Sequence, residues 1–348
     1  MKHLALLMIF QIGFLDCYLL RSFKQCQTQT SKEIFYASLP SSFCDKNFAL
    51  PFYTPDVVGN YEPFPSPPPG GEKTIVLGAA LKFDMIEYGM SMTTSDTIPL
   101  DRDVKDLREP GCKNWNYPSN LPSTSVVIAF HNEGLSVLIR TIVSVLNRSP
   151  TKVLKEIVLV DDFSNINEFP HLGSELEDWI KKTNKVRISR NKKREGLIVS
   201  KNLGVLQATG EVVVFLDAHC EVGLNWLPPL LTPILRDPAT LTVPIVYPID
   251  HTDFSSRSVY ARSTKPIGIW EWGLLYKELH PVLAESQENL TSPYPSPLHA
   301  GGLIAFNKEY FLSVGGYDPG LKVWGGEQCE LSFKIWMFCL VLEDMILG

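Results

Sequence analysis

The feature that most constrains this chain is an alternation of two periodicities between Ser125 and Asp217. Ser125-Val-Val-Ile-Ala-Phe130 is a short continuous apolar run, the pattern of a strand buried on both faces. Leu135, Leu138, Ile139, Ile142, Val145 and Leu146 then recur at helical spacing until Pro150 stops the helix. A second strand, Glu156-Ile-Val-Leu-Val160, runs directly into Asp161 and Asp162. Val186-Arg-Ile-Ser-Arg190 reads as a third, Leu197 to Ala208 as a helix, and Glu211-Val-Val-Val-Phe-Leu216 as a fourth strand ending at Asp217. Strands and helices taken in turn predict an α/β fold with a mainly parallel sheet. Ligands of such sheets bind beyond the carboxyl ends of the strands. His131, Asp162 and Asp217 all fall at those ends, so one crevice is expected to gather them.

Asp217 and His219 lie two apart just beyond a buried strand, and in extended backbone such residues project to the same side. One carboxylate oxygen and one imidazole nitrogen suit a borderline divalent ion such as Mn²⁺ that takes further oxygens from a diphosphate. The competing reading is an aspartate ending a strand as a turn residue beside a histidine with a local hydrogen bond. Downstream, Ala300-Gly-Gly-Leu-Ile-Ala-Phe306 and Val323-Trp-Gly-Gly-Glu327 each contain a glycine pair. Glycines permit close backbone approach and an indole face packs against a sugar ring; two tight turns would explain the same residues. Neither pair fits the dinucleotide-binding or P-loop pattern. Arg187, Arg190, Lys192, Lys193 and Arg194 form a basic run before Gly196. Solvation is the ordinary reason for such a run, but this one sits between a strand and a helix start, where anions are held, which singles out Arg194. His251, His280 and His299 stand outside any such constellation.

The 32 Lys and Arg against 38 Asp and Glu give a net charge of -6, which leaves no basic excess for a polyphosphate backbone, so no nucleic-acid partner is expected. Seven cysteines in 348 residues are too few for a disulfide scaffold and include no CxxC pair of a structural zinc site. Leu4 to Leu20 is a mostly apolar run of 17 residues with a single acid, Asp16, at the short end for a membrane span. No small-x-small site closes it, which favours an uncleaved signal-anchor at 1–21 over a cleaved signal. Arg21 and Lys24 on its far side run against the charge bias of a type II orientation. From 22 to 110 there is little periodicity, and Pro63, Pro65, Pro67, Pro68 and Pro69 precede Gly70 and Gly71, the composition of a stem. The catalytic part is expected at 111–348.

LPSTSVVIAFHNE, KEIVLVDDFS, REGLIVSKNLG, VVVFLDAHCE, AGGLIAF and VWGGEQCELSFKIW occur in one order at sensible spacing. Together they resemble the polypeptide N-acetylgalactosaminyltransferase family, over roughly Cys112 to Glu343. The resemblance implies a GT-A glycosyltransferase fold, Rossmann-like, in a Golgi type II membrane protein. It implies transfer of GalNAc from UDP-GalNAc to Ser or Thr hydroxyls of polypeptides, with retention and with Mn²⁺, which initiates mucin-type O-glycosylation. Carried onto this sequence, His131, Asp162 and Arg194 match positions that hold UDP, and Asp217 and His219 match two of three protein ligands of manganese. Gly301 and Gly302 match the donor pocket, and Trp324 and Glu327 the sugar and catalytic region.

The family pattern continues past WGGE through a third metal ligand, a histidine, then an acceptor-binding loop and usually a ricin-type lectin domain. This chain stops at Gly348, so the catalytic domain is expected to be incomplete and the lectin domain absent. The implied expectation is weak or absent activity, with binding of UDP-sugar or of a partner transferase as the alternative role.

Overall fold

Residue after residue along Thr124–Phe130 (β3) is buried, all seven of them, because this strand lies in the middle of an eight-stranded sheet with helices on both faces. A computed structural model describes residues 52–53, 84, 86–260, 266–270, 276–279, 291–337 and 342–345. All but Met337 belong to one unit, Pro51–Trp336 with Leu340–Gly348. The segment expected to be a signal-anchor lies outside the described residues. Among the described residues no helix is long and apolar enough to cross a membrane.

Before β3 come Phe52–Tyr53 (β1) and Tyr117–Pro118 (β2), which pair with each other, and the short helix Met92–Ser95 (α1). After it follow Leu135–Arg148 (α2), Leu154–Asp161 (β4), Ser174–Ile180 (α3), Val186–Arg190 (β5), Leu197–Gln207 (α4) and Val212–Leu216 (β6). The second half supplies Leu227–Arg236 (α5), Leu241–Pro244 (β7), the hairpin strands Ile267–Trp270 (β8) and Tyr276–Leu279 (β9), Tyr294–Pro295 (β10), Ile304–Asn307 (β11), Lys308–Ser313 (α6), Glu327–Met337 (α7) and Leu342–Met345 (β12). The sheet order is β10-β12-β7-β11-β6-β3-β4-β5. β5, β4, β3 and β6 are parallel neighbours. β11 runs antiparallel between β6 and β7, and β7 and β12 resume the common direction before β10 reverses again. The α/β, mainly parallel sheet predicted from the alternation is therefore present. Asp161, read as following its strand, is the last residue of β4.

Alternate residues of each central strand face opposite layers, as a period of two requires. Val126, Ile128 and Phe130 pack with Leu138 and Ile142 of α2, Leu176 and Trp179 of α3, and Leu230 and Leu231 of α5. Val127, Ala129, Val158, Val160 and Phe215 pack with Ile198 and Val205 of α4, Phe311 of α6, and Leu331 and Ile335 of α7. Gly204 sets the closeness of the second layer. A Cβ there would lie 2.3 Å from Val127 Cγ1, so α4 rests directly on the sheet.

The range read as stem reaches residue 110, yet its described part from Asp84 on is bound to the domain. Within the segment, Asp84 accepts from the Thr93 N–H and hydroxyl at 2.8 and 2.9 Å, and Ser91 N donates across to His251 O at 2.8 Å. Arg140 of α2, with a side chain only 2% exposed, donates to Ser95 O at 2.7 Å and lies 5.6 Å from the Phe254 ring centre. Arg102 grips Glu221 with two bonds of 2.7 and 2.8 Å. A proline-poor, aperiodic segment is thus strapped to the domain by arginines together with apolar contacts, Met92 packing with Val137 and Phe254 and Tyr88 and Leu100 against the main core.

Candidate active site

At the carboxyl edge of the sheet the register makes Phe130 of β3 a neighbour of Asp161 in β4 and sets Ile128 of β3 beside Leu216 of β6. The residues that follow these strands, His131, Asp162 and Asp217, therefore leave the sheet along one edge, as the sequence predicts.

Asp162 is the hub of the first group. It is 2% exposed, and its carboxylate accepts from Asn191 Nδ2 at 2.9 Å, Glu195 N at 2.8 Å and Gly196 N at 2.8 Å, and pairs with Arg194. Burial alone would raise its pKa; these hydrogen bonds, with the Arg194 charge, outweigh burial and hold it below the ordinary carboxylate value. Its lone pairs are thereby committed to shaping the 191–196 loop. His131 Nδ1 lies 2.9 Å from the Asp162 carbonyl. A carbonyl only accepts, so Nδ1 carries the proton and Nε2 keeps a lone pair. Arg194, with its side chain 42% exposed, is the member of the basic run that reaches this hub. Gly196 begins α4 at φ +95°, and a Cβ there would meet the Val323 backbone at 2.5 Å. A bridge between Gly196 and Val323, with Leu197 N donating to Val323 O at 2.8 Å, lays the Trp324 loop against the start of this helix.

The second group surrounds Asp217 and His219. The Asp217 side chain is 32% exposed, with Lys201 Nζ 3.8 Å away. Lys201 is fully buried and donates to Gly302 O at 3.0 Å. A Cβ on Gly302 would fall 2.1 Å from Asp217 Oδ2, so the glycine leaves the space that this carboxylate fills. Gly301 takes φ +105° and gives its N–H to Nδ1 of His299 at 3.1 Å. His219 Nδ1 sits 3.2 Å from Glu133 Oε2, with the ring 53% exposed. The bond to Glu133 raises the His219 pKa, against burial. One carboxylate and one imidazole, both reachable from solvent, fit a divalent cation that draws further ligands from water or a substrate. Among the described residues no group of three or more His, Cys, Asp or Glu gathers to hold a metal.

Glu327 opens α7 and is 3% exposed, with Oε2 buried and unpartnered. Burial first, then the charges of Glu327 and Asp217, push the enclosed Tyr317 phenol well above its usual pKa. Trp324 differs from the rest, with its indole 75% exposed. Sequence reasoning passed over Glu133, Lys201 and Asn191. Glu133 follows His131 at the same strand end and was findable by that signal; Lys201 and Asn191 follow only from the tertiary packing.

The glycosyl transferase family 2 model matches residues 125–313, from β3 through α6. The chain belongs to glycosyl transferase family 2. This family 2 chain is 50% identical over 292 residues to N-acetylgalactosaminyltransferase 7 of Drosophila melanogaster, covering 81% of this chain and 49% of the relative. It is 44% identical over 308 residues to N-acetylgalactosaminyltransferase 7 of Homo sapiens, 82% of this chain and 46% of that one. To polypeptide N-acetylgalactosaminyltransferase 10 of Homo sapiens the identity is 47% over 260 residues, with shares of 74% and 42%. A crystal structure of GalNAc-T7 with UDP, GalNAc and Mn²⁺ superposes with a TM-score of 0.72 at 42% identity, covering 84% of this chain and 57% of that one. The family 2 chain thus has the GT-A glycosyltransferase fold. It spans about half the length of the relatives it matches.

Proposed function

We propose that this family 2 chain is the donor-binding and catalytic part of a polypeptide GalNAc-transferase, moving GalNAc from UDP-GalNAc to Ser or Thr hydroxyls with retention. The observation that carries this reading is the strand-end pair Asp217 and His219, exposed beside the glycine that accommodates the Asp217 carboxylate. The similarity to GalNAc-T7, solved with UDP, GalNAc and Mn²⁺, supports it. Asp217 and His219 would hold Mn²⁺, which when bound neutralises a diphosphate leaving group. The chain's own residues do the rest by position and charge. His131, Arg194 and the loop that Asp162 ties down form the nucleotide side. Gly301, with open space beside its Cα, gives the donor a close approach to backbone, while Gly302 makes room for the Asp217 carboxylate. The unpartnered Glu327 oxygen offers an acceptor to a sugar hydroxyl, and the exposed Trp324 indole offers a face to the ring. In transfer the anomeric C–O bond to UDP breaks, a bond to the acceptor oxygen forms, and the hydroxyl proton leaves with the phosphate oxygen on the same face. No protein base is required.

A Golgi type II location is what the resemblance to the polypeptide N-acetylgalactosaminyltransferases implies, and the apolar run Leu4 to Leu20 offers an anchor for it. A second reading is nucleotide-sugar binding without transfer, carried by the His131, Asp162 and Arg194 group on the nucleotide side. The experiment is transfer of radiolabelled GalNAc from UDP-GalNAc to a Ser/Thr-rich peptide by the full chain, with Mn²⁺ and then with chelator. Chelator-sensitive product that is lost in Asp217→Asn supports transfer. UDP binding without product supports the second reading, and neither from a folded chain rejects both.

A further inference from the structure

We propose that Glu133 is the positioning residue of the strand-end pair, fixing through His219 Nδ1 the tautomer that leaves Nε2 as the ring's ligating atom. This rests on the reading of His219 as a cation ligand. The contact itself decides the tautomer: Glu133 Oε2 lies 3.2 Å from His219 Nδ1, and a carboxylate only accepts, so the proton is on Nδ1.

What makes Glu133 a positioning group rather than a surface partner is how firmly it is held. Its side chain is 11% exposed against 53% for His219, so the acceptor is fixed and the ring conforms to it. Glu133 Oε1 accepts from Gly134 N at 3.1 Å, and the Glu133 carbonyl accepts from His171 Nε2 at 3.1 Å. His171 is packed against Phe169, their ring centres 6.1 Å apart, and Phe169 against Tyr88 at 5.6 Å. One residue earlier, Asn132 takes φ +51°. Its N–H donates to Ser164 Oγ at 2.9 Å and its Oδ1 accepts from Asn165 N at 2.8 Å. The turn after β3 is therefore bound to the loop after β4 on one side and, through Glu133, to the residues after β6 on the other. Outer partners of this kind orient metal-ligating histidines, and their loss lowers metal affinity 10–100-fold.

The test is a two-bond ¹H–¹⁵N correlation of histidine rings in the full chain labelled at histidine, without metal, at a pH where His219 is neutral. The expected wild-type pattern is protonated Nδ1 and bare Nε2. Glu133→Gln, whose amide oxygen still accepts, keeps it, and Glu133→Ala shifts His219 toward the Nε2–H form while the other histidines are unmoved. In a parallel Mn²⁺ titration followed by electron paramagnetic resonance, Glu133→Ala weakens binding by about tenfold or more, and Glu133→Gln by less. Protonated Nε2 in the wild type, or a tautomer unmoved in Glu133→Ala, overturns the proposal alone. Failure of the wild type to bind Mn²⁺ with the tautomer as expected overturns the ligand reading, and the positioning role falls with it.

Discussion

At Gly302 a single methyl group would separate two properties that most substitutions confound. The Cβ of an alanine there would lie 2.1 Å from Asp217 Oδ2, so the carboxylate must turn away. The backbone at 302 has no left-handed requirement, and the sheet strands it precedes are not otherwise touched. Gly302→Ala is therefore expected to change unfolding stability by no more than about 1 kcal/mol, yet to weaken Mn²⁺ binding by about tenfold or more. Urea melts and a Mn²⁺ titration check the two halves; unchanged binding would mean that the backbone at 302 yields instead. Asp162 differs from Asp217 in kind although the sequence sets both directly after strands. The first is buried among four donors and acts by holding a loop, whereas the second is left accessible beside one buried lysine. Position beyond a strand could be read from the pattern. Which carboxylate is spent on structure could not, because it depends on a loop returning from β5.

Among the elements, the strap from Asp84 to about residue 108 is held by individual polar bonds as well as by the apolar contacts of Met92, Tyr88 and Leu100. Arg140 supplies the central one, reaching Ser95 O, Ser95 Oγ and Ile98 O from α2. Arg140→Met would keep the volume but remove every one of these donors, leaving Ser95 O with the Ile98 N–H alone, at a cost of about 1–3 kcal/mol. The strap should then become cleavable by protease before the sheet does, which limited proteolysis with mapping of the cut sites would show; cleavage confined to other loops would contradict it. This element was illegible in the sequence for a physical reason. Arginine-to-carbonyl bonds impose no periodicity, whereas β3, β4 and β6 announce themselves because burial on both faces demands unbroken apolar runs. β11 shows an intermediate case. Ile304-Ala-Phe306 reads as apolar, but its antiparallel insertion between β6 and β7 is set by partners far away in the chain.

For the molecule as a whole, acid should act in two stages. Burial, then the nearby Lys201 charge, depress the His299 pKa to about 3. A group depressed below its unfolded value of about 6.5 stabilises the fold above that pH, and the contribution is lost as pH falls, by up to about 1.4 kcal/mol per unit. Glu156 follows lower down. Burial would raise it, but bonds from Arg187 and Thr209 bring it to about 2, and Asp162 is likewise lowered. Their share is intact above about pH 4 and is lost toward 2. His219, raised by Glu133, works in the opposite sense in the upper window, so the variant isolates the effect. His299→Leu should flatten the loss between about pH 6.5 and 4.5 relative to wild type while leaving the lower stage. Denaturant midpoints across that range decide it, and identical slopes in both proteins would remove His299 from the account.

The insertion of β11 beside β6 also sets a timetable. The edge of β6 is Val212-Val-Val-Phe-Leu216, and the strand that covers it begins only at Ile304. At a synthesis rate of about 5–20 residues per second, the ribosome needs on the order of 4–18 s to deliver that partner. Throughout that interval the nascent sheet carries an unpaired, β-branched edge of the kind that recruits other chains. Elongation speed and chaperone supply over that stretch of message, more than the final stability of the fold, would then govern how much of this protein reaches its native sheet.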